Sequence, residues 1–172
     1  FPGNFHNCIL PQNNVYYHST VLLVFQGLFC PKGGILLKVA GIVAEYNPFH
    51  NGHAHQIERT RAADNGCGAT HVVAVMSGHF VQRGEPAFLE KHVRARAALS
   101  GGADLVLELP LAFACAPAQR FGLGAVYVAE KMGCVDMLSF GSESGDTARL
   151  EQAAAVLDTP QFREALARGL ES

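Results

Sequence analysis

Four short apolar runs, the first rich in β-branched residues, recur along the chain: Val39–Ala44, His71–Met76, Asp104–Leu109 and Met137–Phe140. They are apolar on both faces rather than alternating, which suits strands covered on both sides. Between them lie stretches with helical periodicity. Strands and helices in alternation specify an α/β fold, a parallel sheet with helices on both faces. Helices are expected over Gly52–Asp64, closed by Asn65-Gly66, and from about Pro86 to Ser100. The second has Leu89, Val93 and Ala97 as its apolar stripe and a Glu90–Arg94 pair on its surface. A third covers Pro117–Lys131, with Phe121, Ala125 and Val128 on one side. A fourth covers Ala148–Leu157, and Thr159-Pro160 opens a last one.

Ligands of such sheets bind beyond the carboxyl ends of the strands. Four loops qualify: 45–52, 77–86, 109–116 and 141–146. The first is the richest, Glu45-Tyr46-Asn47-Pro48-Phe49-His50-Asn51-Gly52-His53. A helix starting there presents unpaired N–H groups and a partial positive charge, a natural phosphate site. Gly52 is expected to let the backbone approach a phosphate. His50 and His53, three apart, face the same side. They are expected to hold the phosphates of a nucleoside triphosphate and to stabilise charge as pyrophosphate leaves. Two other readings are a surface turn and a zinc site. Zinc would want a further ligand, with His55 pointing elsewhere and Glu45 available; the strand–turn–helix context favours phosphate.

With 172 residues, 49% of them hydrophobic, the chain is long enough for one domain with a proper core. Its net charge of −2 argues against a strongly basic nucleic-acid module. The five cysteines, Cys8, Cys30, Cys67, Cys115 and Cys134, form no CxxC pair. They fit a reducing cytoplasm, and Cys67, Cys115 and Cys134 are expected to pack as small hydrophobes. No apolar run is long enough to span a bilayer, so no membrane partner is expected. Residues 1–36 lack the charge pattern of the rest and are expected to be a non-native leader or a disordered extension. Lys32-Gly33-Gly34 is what an in-frame ribosome-binding sequence would encode, and a start near Leu37 would follow.

The string Gly41-Ile42-Val43-Ala44-Glu45-Tyr46-Asn47-Pro48-Phe49-His50-Asn51-Gly52-His53 resembles the opening of the bacterial tRNA(Met) cytidine acetate ligases. Those proteins belong to the nucleotidyltransferase superfamily with an HxGH motif. Four further blocks match in the family's order: Val75–Gly78, Phe80–Ala87, Gly102–Pro110 and Phe140–Asp146. The resemblance implies a Rossmann-like fold of the HUP/nucleotidyltransferase type over residues 37–172. It implies an enzyme that uses ATP, with Mg²⁺, to turn acetate into acetyl-adenylate. The acetyl group then passes to the wobble cytidine of elongator tRNA(Met).

The family's ATP-binding segment maps onto Val43, Ala44, Glu45, Tyr46, Asn47, Pro48, Phe49, His50, Asn51, Gly52, His53, Ala54, His55 and Gln56, joined by Gly141. The family usually has asparagine at the position of His79, and Asp-Lys-Trp where this chain has Glu90-Lys91-His92. A later Ser-Pro-Asn segment and an arginine of the family's ATP site fall outside residues 1–172, so the domain is expected to be C-terminally truncated. Alternatives are another adenylyl- or cytidylyltransferase of the same fold and a non-catalytic nucleotide-binding fragment.

Other polar residues have two readings each. Gln82 and Arg83 are expected to meet ATP phosphates or the RNA backbone, the other reading being an exposed loop arginine. Lys91 and Arg94 either face the phosphates or lie on a solvated helix face. Asp104 and Glu108 are expected to cap or to form salt bridges, with water-mediated Mg²⁺ binding at Glu108 the lesser reading.

Overall fold

The computed structural model describes residues 6–11, 37–63, 68–142, 146–157 and 159–170. In chain order the elements are β1 (His6–Pro11), β2 (Val39–Ala44), α1 (Asn51–Arg61), β3 (His71–Ser77), a 3₁₀ turn (Gln82–Gly84) and α2 (Lys91–Ser100). Then follow β4 (Leu105–Leu109), α3 (Leu111–Ala114), α4 (Ala118–Lys131), β5 (Met137–Ser142), α5 (Thr147–Leu157) and α6 (Pro160–Leu170).

The sheet order is β1-β5-β2-β3-β4. β5, β2, β3 and β4 are parallel, and β1, inside the segment expected to be a leader, pairs antiparallel with β5 at the edge. The alternation of side chains along the strands feeds two cores. Val73, Val75, Leu105, Leu107 and Leu109 pack on one face with Phe121, Ala125, Val128 and Ala129 of α4. Ile42, Val72, Ala74 and Met76 pack on the other with Ile57 of α1 and Ala98 of α2. That two-sided burial is why these strands read as continuous apolar runs, as expected.

Several details differ from the sequence reading, and α3 occupies part of the segment 109–116 read as a loop. The first helix ends at Arg61, capped at Ala62; the expected terminator Asn65-Gly66 lies outside the described residues. The second begins at Lys91, not near Pro86. Pro86 is instead bridged to Phe80, and Ala87 donates its N–H to the His79 carbonyl at 2.8 Å, so residues 79–87 form a hairpin. The apolar stripe is also displaced. Leu89 and Val93 are exposed, while Arg94 and Ala98 are buried.

Asp104 and Glu108 make the salt bridges expected of them. Asp104 Oδ2 accepts from Arg61 Nη2 at 2.5 Å and from the Val72 N–H at 2.6 Å. Glu108 Oε2 pairs with Lys91 Nζ at 2.6 Å. Lys91 is therefore committed to a carboxylate. Cys115 is half-buried, but Cys134 is exposed rather than packed, because it lies in the turn between α4 and β5.

Candidate nucleotide site

The chain runs from β2 to β3 to β4 in one direction along the sheet, then returns to β5 on the far side of β2. This is a topological switch point, where open α/β sheets form their crevice. β2 and β5 are paired only at Ala40–Met137 and Gly41–Leu138. Beyond those residues the carboxyl ends stand over a cavity of about 400 Å³. Val43, Ala44, Glu45, Tyr46, Asn47, Pro48, His50, His53 and Gln56 line it.

The two histidines are the start of α1. His50 is its N-cap, with an extended backbone and its Nδ1 accepting the Gly52 N–H at 3.1 Å. His53 Nδ1 reaches back to accept the His50 N–H at 3.2 Å. This is a capping box written with imidazoles instead of Ser and Glu. The rings stack at 3.7 Å between centroids, 23° apart. Because each Nδ1 accepts a backbone proton, each neutral ring carries its own proton at Nε2. That leaves one N–H donor per ring beyond the cap. Gly52 serves the cap itself. A Cβ there would stand 3.0 Å from His50 Cε1, so the glycine makes room for the imidazole, and its amide is already bonded to that ring.

His53 is packed from behind. Tyr46 lies edge-on at 4.9 Å and Phe49 at 5.6 Å. Burial, and secondarily the neighbouring His50, hold its pKa down at about 4. The ring is thus a neutral hydrogen-bond donor at pH 7. An unfolded histidine titrates near 6.5, so between pH 6.5 and 4 the unfolded chain binds the extra proton. The stabilisation is therefore complete above pH 6.5 and lost as the pH falls towards 4. Since the ring is only half-buried, the full shift is discounted to roughly 1–2 kcal/mol. Urea denaturation at pH 7.5 and pH 4.5 should show the wild-type chain losing about that much more stability than His53→Gln.

The loop carrying these residues is fixed from several sides. Tyr46 is 1% exposed, takes a left-handed φ of 48°, and has its phenol pushed up to about 12 by burial. The Asn47–Pro48 peptide is cis. Asn47 Oδ1 accepts the Phe88 N–H at 2.6 Å, and Glu45 Oε1 accepts the Gln82 N–H at 2.8 Å. Gln56 Nε2 donates to the Ser139 carbonyl at 3.5 Å, and Thr60 and Ser139 share a buried hydroxyl contact of 2.7 Å, joining α1 to β5.

Arg94 is fully buried, against both expectations for it. Nη1 donates to the Glu45 carbonyl at 2.6 Å and to that of Ser77 at 3.2 Å. Nε donates to Leu89 O at 2.9 Å, and Nη2 to Gly78 O. It forms no pair with Glu90, because its guanidinium is drawn inward to carbonyls at the strand ends. Burial lowers its pKa, and the charges of Glu45 and Glu108 oppose that shift. One side chain therefore clamps the β2 and β3 loops together.

Of the residues expected in the site, nine line the cavity. The others surround it or lie apart. Phe49 packs under Tyr46 and His53, with its ring filling the space left by Gly101. Asn51, Gly52 and Ala54 belong to the first turn of α1, and His55 turns away to Glu58 at 3.6 Å. Gly141 sits in the last part of β5; continuing the β2–β5 register sets it level with Ala44, outside the cavity lining. Gln82 and Arg83 do not line it either. Sequence reasoning missed Arg94 as a clamp and the Gln56–Thr60–Ser139 tie. Short Ala95, Ala97 and Ala98 beside Arg94 were the one hint that this face lies against the sheet. Among the described residues no helix is long and apolar enough to cross a membrane.

The chain is similar in sequence and fold to known proteins. The tRNA(Met) cytidine acetate ligase of Alkaliphilus metalliredigens is 51% identical over 121 residues, covering 70% of this chain and 28% of that protein. The protein of the same name from Syntrophotalea carbinolica is 52% identical over 122 residues, covering 71% and 28%. A crystal structure of Thermotoga maritima TmcAL bound with alpha-thio ATP superposes with a TM-score of 0.70 at 43% identity, covering 78% of this chain and 32% of that one. The chain thus spans less than a third of the length of these relatives. The HIGH Nucleotidyl Transferase model matches residues 37–172, a range holding β2 to β5, the histidine cap and the cavity beside it, and the chain belongs to that family.

Proposed function

We propose that the whole protein is an ATP-dependent ligase that activates acetate and acetylates the wobble cytidine of elongator tRNA(Met) in the cytoplasm. The observation that carries this reading is the reciprocal histidine cap on a cavity of about 400 Å³. It lies in a chain that shares its fold, at 43% identity, with a protein bound with alpha-thio ATP. The names of the relatives supply the acceptor.

In the first step an acetate oxygen attacks the α-phosphorus of ATP, the bond to the β-phosphate breaks, and pyrophosphate leaves. In the second the cytidine amine attacks the acetyl carbonyl, the carbonyl–AMP bond breaks, and the amine loses its proton. The Nε2–H groups of His50 and His53 would donate to phosphate oxygens as charge builds on the leaving group, a stabilisation that needs no covalent intermediate. Gly141 and the segment from Val43 to Gln56 would surround the nucleotide. Among the described residues no three His, Cys, Asp or Glu side chains converge to hold a metal. Glu108, the one carboxylate considered for it, is paired with Lys91. The described residues thus offer no all-protein cage for Mg²⁺, which would enter with ATP and be held mainly by its phosphates and water.

The test is ATP–pyrophosphate exchange by the full-length protein. Exchange should depend on acetate. Exchange that ignores acetate, or that follows a different acceptor, would move the reading to another nucleotidyltransferase.

A further inference from the structure

A second cavity, of about 170 Å³, opens on the same edge of the sheet, two strands over. It lies between Gly78 at the end of β3, Glu108 and Leu109 at the end of β4, His79 and Phe80 of the hairpin, and Leu111 of α3. It is well below the roughly 300 Å³ at which pockets for drug-sized ligands begin, so it suits a single planar ring rather than a nucleotide. Its rim is apolar and open, with Phe80 42% and Leu111 60% exposed. Its floor is polar. Glu108 Oε2 is held by Lys91, while Oε1 lies against Gly78, where any Cβ would collide with it, and accepts no hydrogen bond among the described residues.

The mount is rigid. Val81 N–H bonds Glu85 O at 2.9 Å and Ala87 N–H bonds His79 O at 2.8 Å, closing the hairpin. Gln82 and Phe88 anchor it to Glu45 and Asn47 in the wall of the first cavity. Arg94 ties Glu45 O to Gly78 O, one carbonyl from each cavity. At the hairpin's tip Arg83 is exposed, takes a left-handed φ of 65°, and makes no ion pair or hydrogen bond among the described residues. Residues held in that backbone region by surrounding structure are often functional. Just beyond the hairpin, Phe88 is 79% exposed.

We propose that this edge is a docking surface for single-stranded RNA, with the second cavity taking one unpaired nucleobase. Phe80 and Leu111 would sandwich the ring. Glu108 Oε1 would accept from an exocyclic amine, as carboxylates do with cytosine N4. Arg83 would meet a backbone phosphate, and Phe88 offers a face for the next base. β3 separates β2 from β4, so at ordinary strand spacing the two floors are roughly 10 Å apart, within reach of neighbouring nucleotides of one loop. The inference rests on the proposed tRNA substrate for its biological meaning, but its test does not need the ligase chemistry.

The experiment is binding of a fluorescent anticodon stem–loop RNA to the full-length protein, without ATP or acetate. Base stacking contributes about 1–3 kcal/mol per base, so Phe80→Ala should raise Kd about tenfold or more, while Phe80→Trp stays near wild type. An RNA carrying 4-thiouridine in its loop should crosslink to peptides from residues 78–88 or 108–111 of the wild-type protein, a readout independent of how the variants fold. Crosslinks confined to other regions, an unchanged Kd in Phe80→Ala, or no RNA binding by the wild type would each overturn the proposal. Crosslinks blocked because another segment of the longer protein covers Phe80 and Leu111 would do the same. Loss of acetate-dependent exchange with RNA binding intact would instead count against the ligase reading alone.

Discussion

Arg94→Met lowers the free energy of unfolding by about 3–5 kcal/mol. The side chain is fully buried and its guanidinium serves four carbonyls, those of Glu45, Ser77, Gly78 and Leu89. Methionine fills much of the volume but donates nothing. It leaves several buried acceptors without partners, each worth on the order of 1–3 kcal/mol before water or relaxation recovers some. Lysine would not substitute well, since three donors at one point cannot span carbonyls on separate loops. Urea denaturation of the 172-residue chain measures the difference. A loss under about 1 kcal/mol would mean that the clamp is dispensable. Because Arg94 also fixes Glu45, the variant of the full-length protein should bind ATP more weakly even below its melting temperature.

The second large effect is on rate. In the full-length protein, His50→Ala and His53→Ala should each slow acetate-dependent exchange by about a hundredfold or more, the loss typical of one transition-state donor. The two changes should not add. Each ring caps the backbone that positions the other, and the rings are stacked, so the double variant should be little worse than the poorer single one. Helix capping accounts for only about 1 kcal/mol of this. His50→Asn separates the two roles: asparagine restores the cap and the stability, but with a shorter side chain it does not restore the rate. Exchange rates within a fewfold of wild type in both alanine variants would remove the imidazoles from the mechanism.

How much of this could be read from residues alone depended on the range of the interactions. The strands announced themselves, because burial on both faces leaves an unbroken apolar run in sequence. The start of α1 did too, since a cap is a local event and the HxGH spacing is the capping-box spacing. The part Gly52 plays in the cap was not visible. It lies in a ring folding back onto the backbone, and the expected approach of phosphate to the glycine competes with that ring for the same amide. The start of α2 was misplaced because Pro86 is as well suited to a hairpin arm as to a first helical turn, and only the long-range pairing with Phe80 decides between them. The role of Arg94 was misread for a similar reason. An arginine beside Glu90 looks like a surface pair until the carbonyls at the ends of β2 and β3 are placed beside it.

The claim on which the account turns is that two cap histidines present their Nε2–H groups to the phosphates of ATP at the β2–β5 crevice. A crystal structure of the full-length protein with a non-hydrolysable ATP analogue tests it directly. The account predicts phosphate oxygens within hydrogen-bonding distance of His50 and His53 Nε2, with the Nδ1 caps intact. A nucleotide seated away from that crevice, or phosphates held with both imidazoles turned aside, would contradict it.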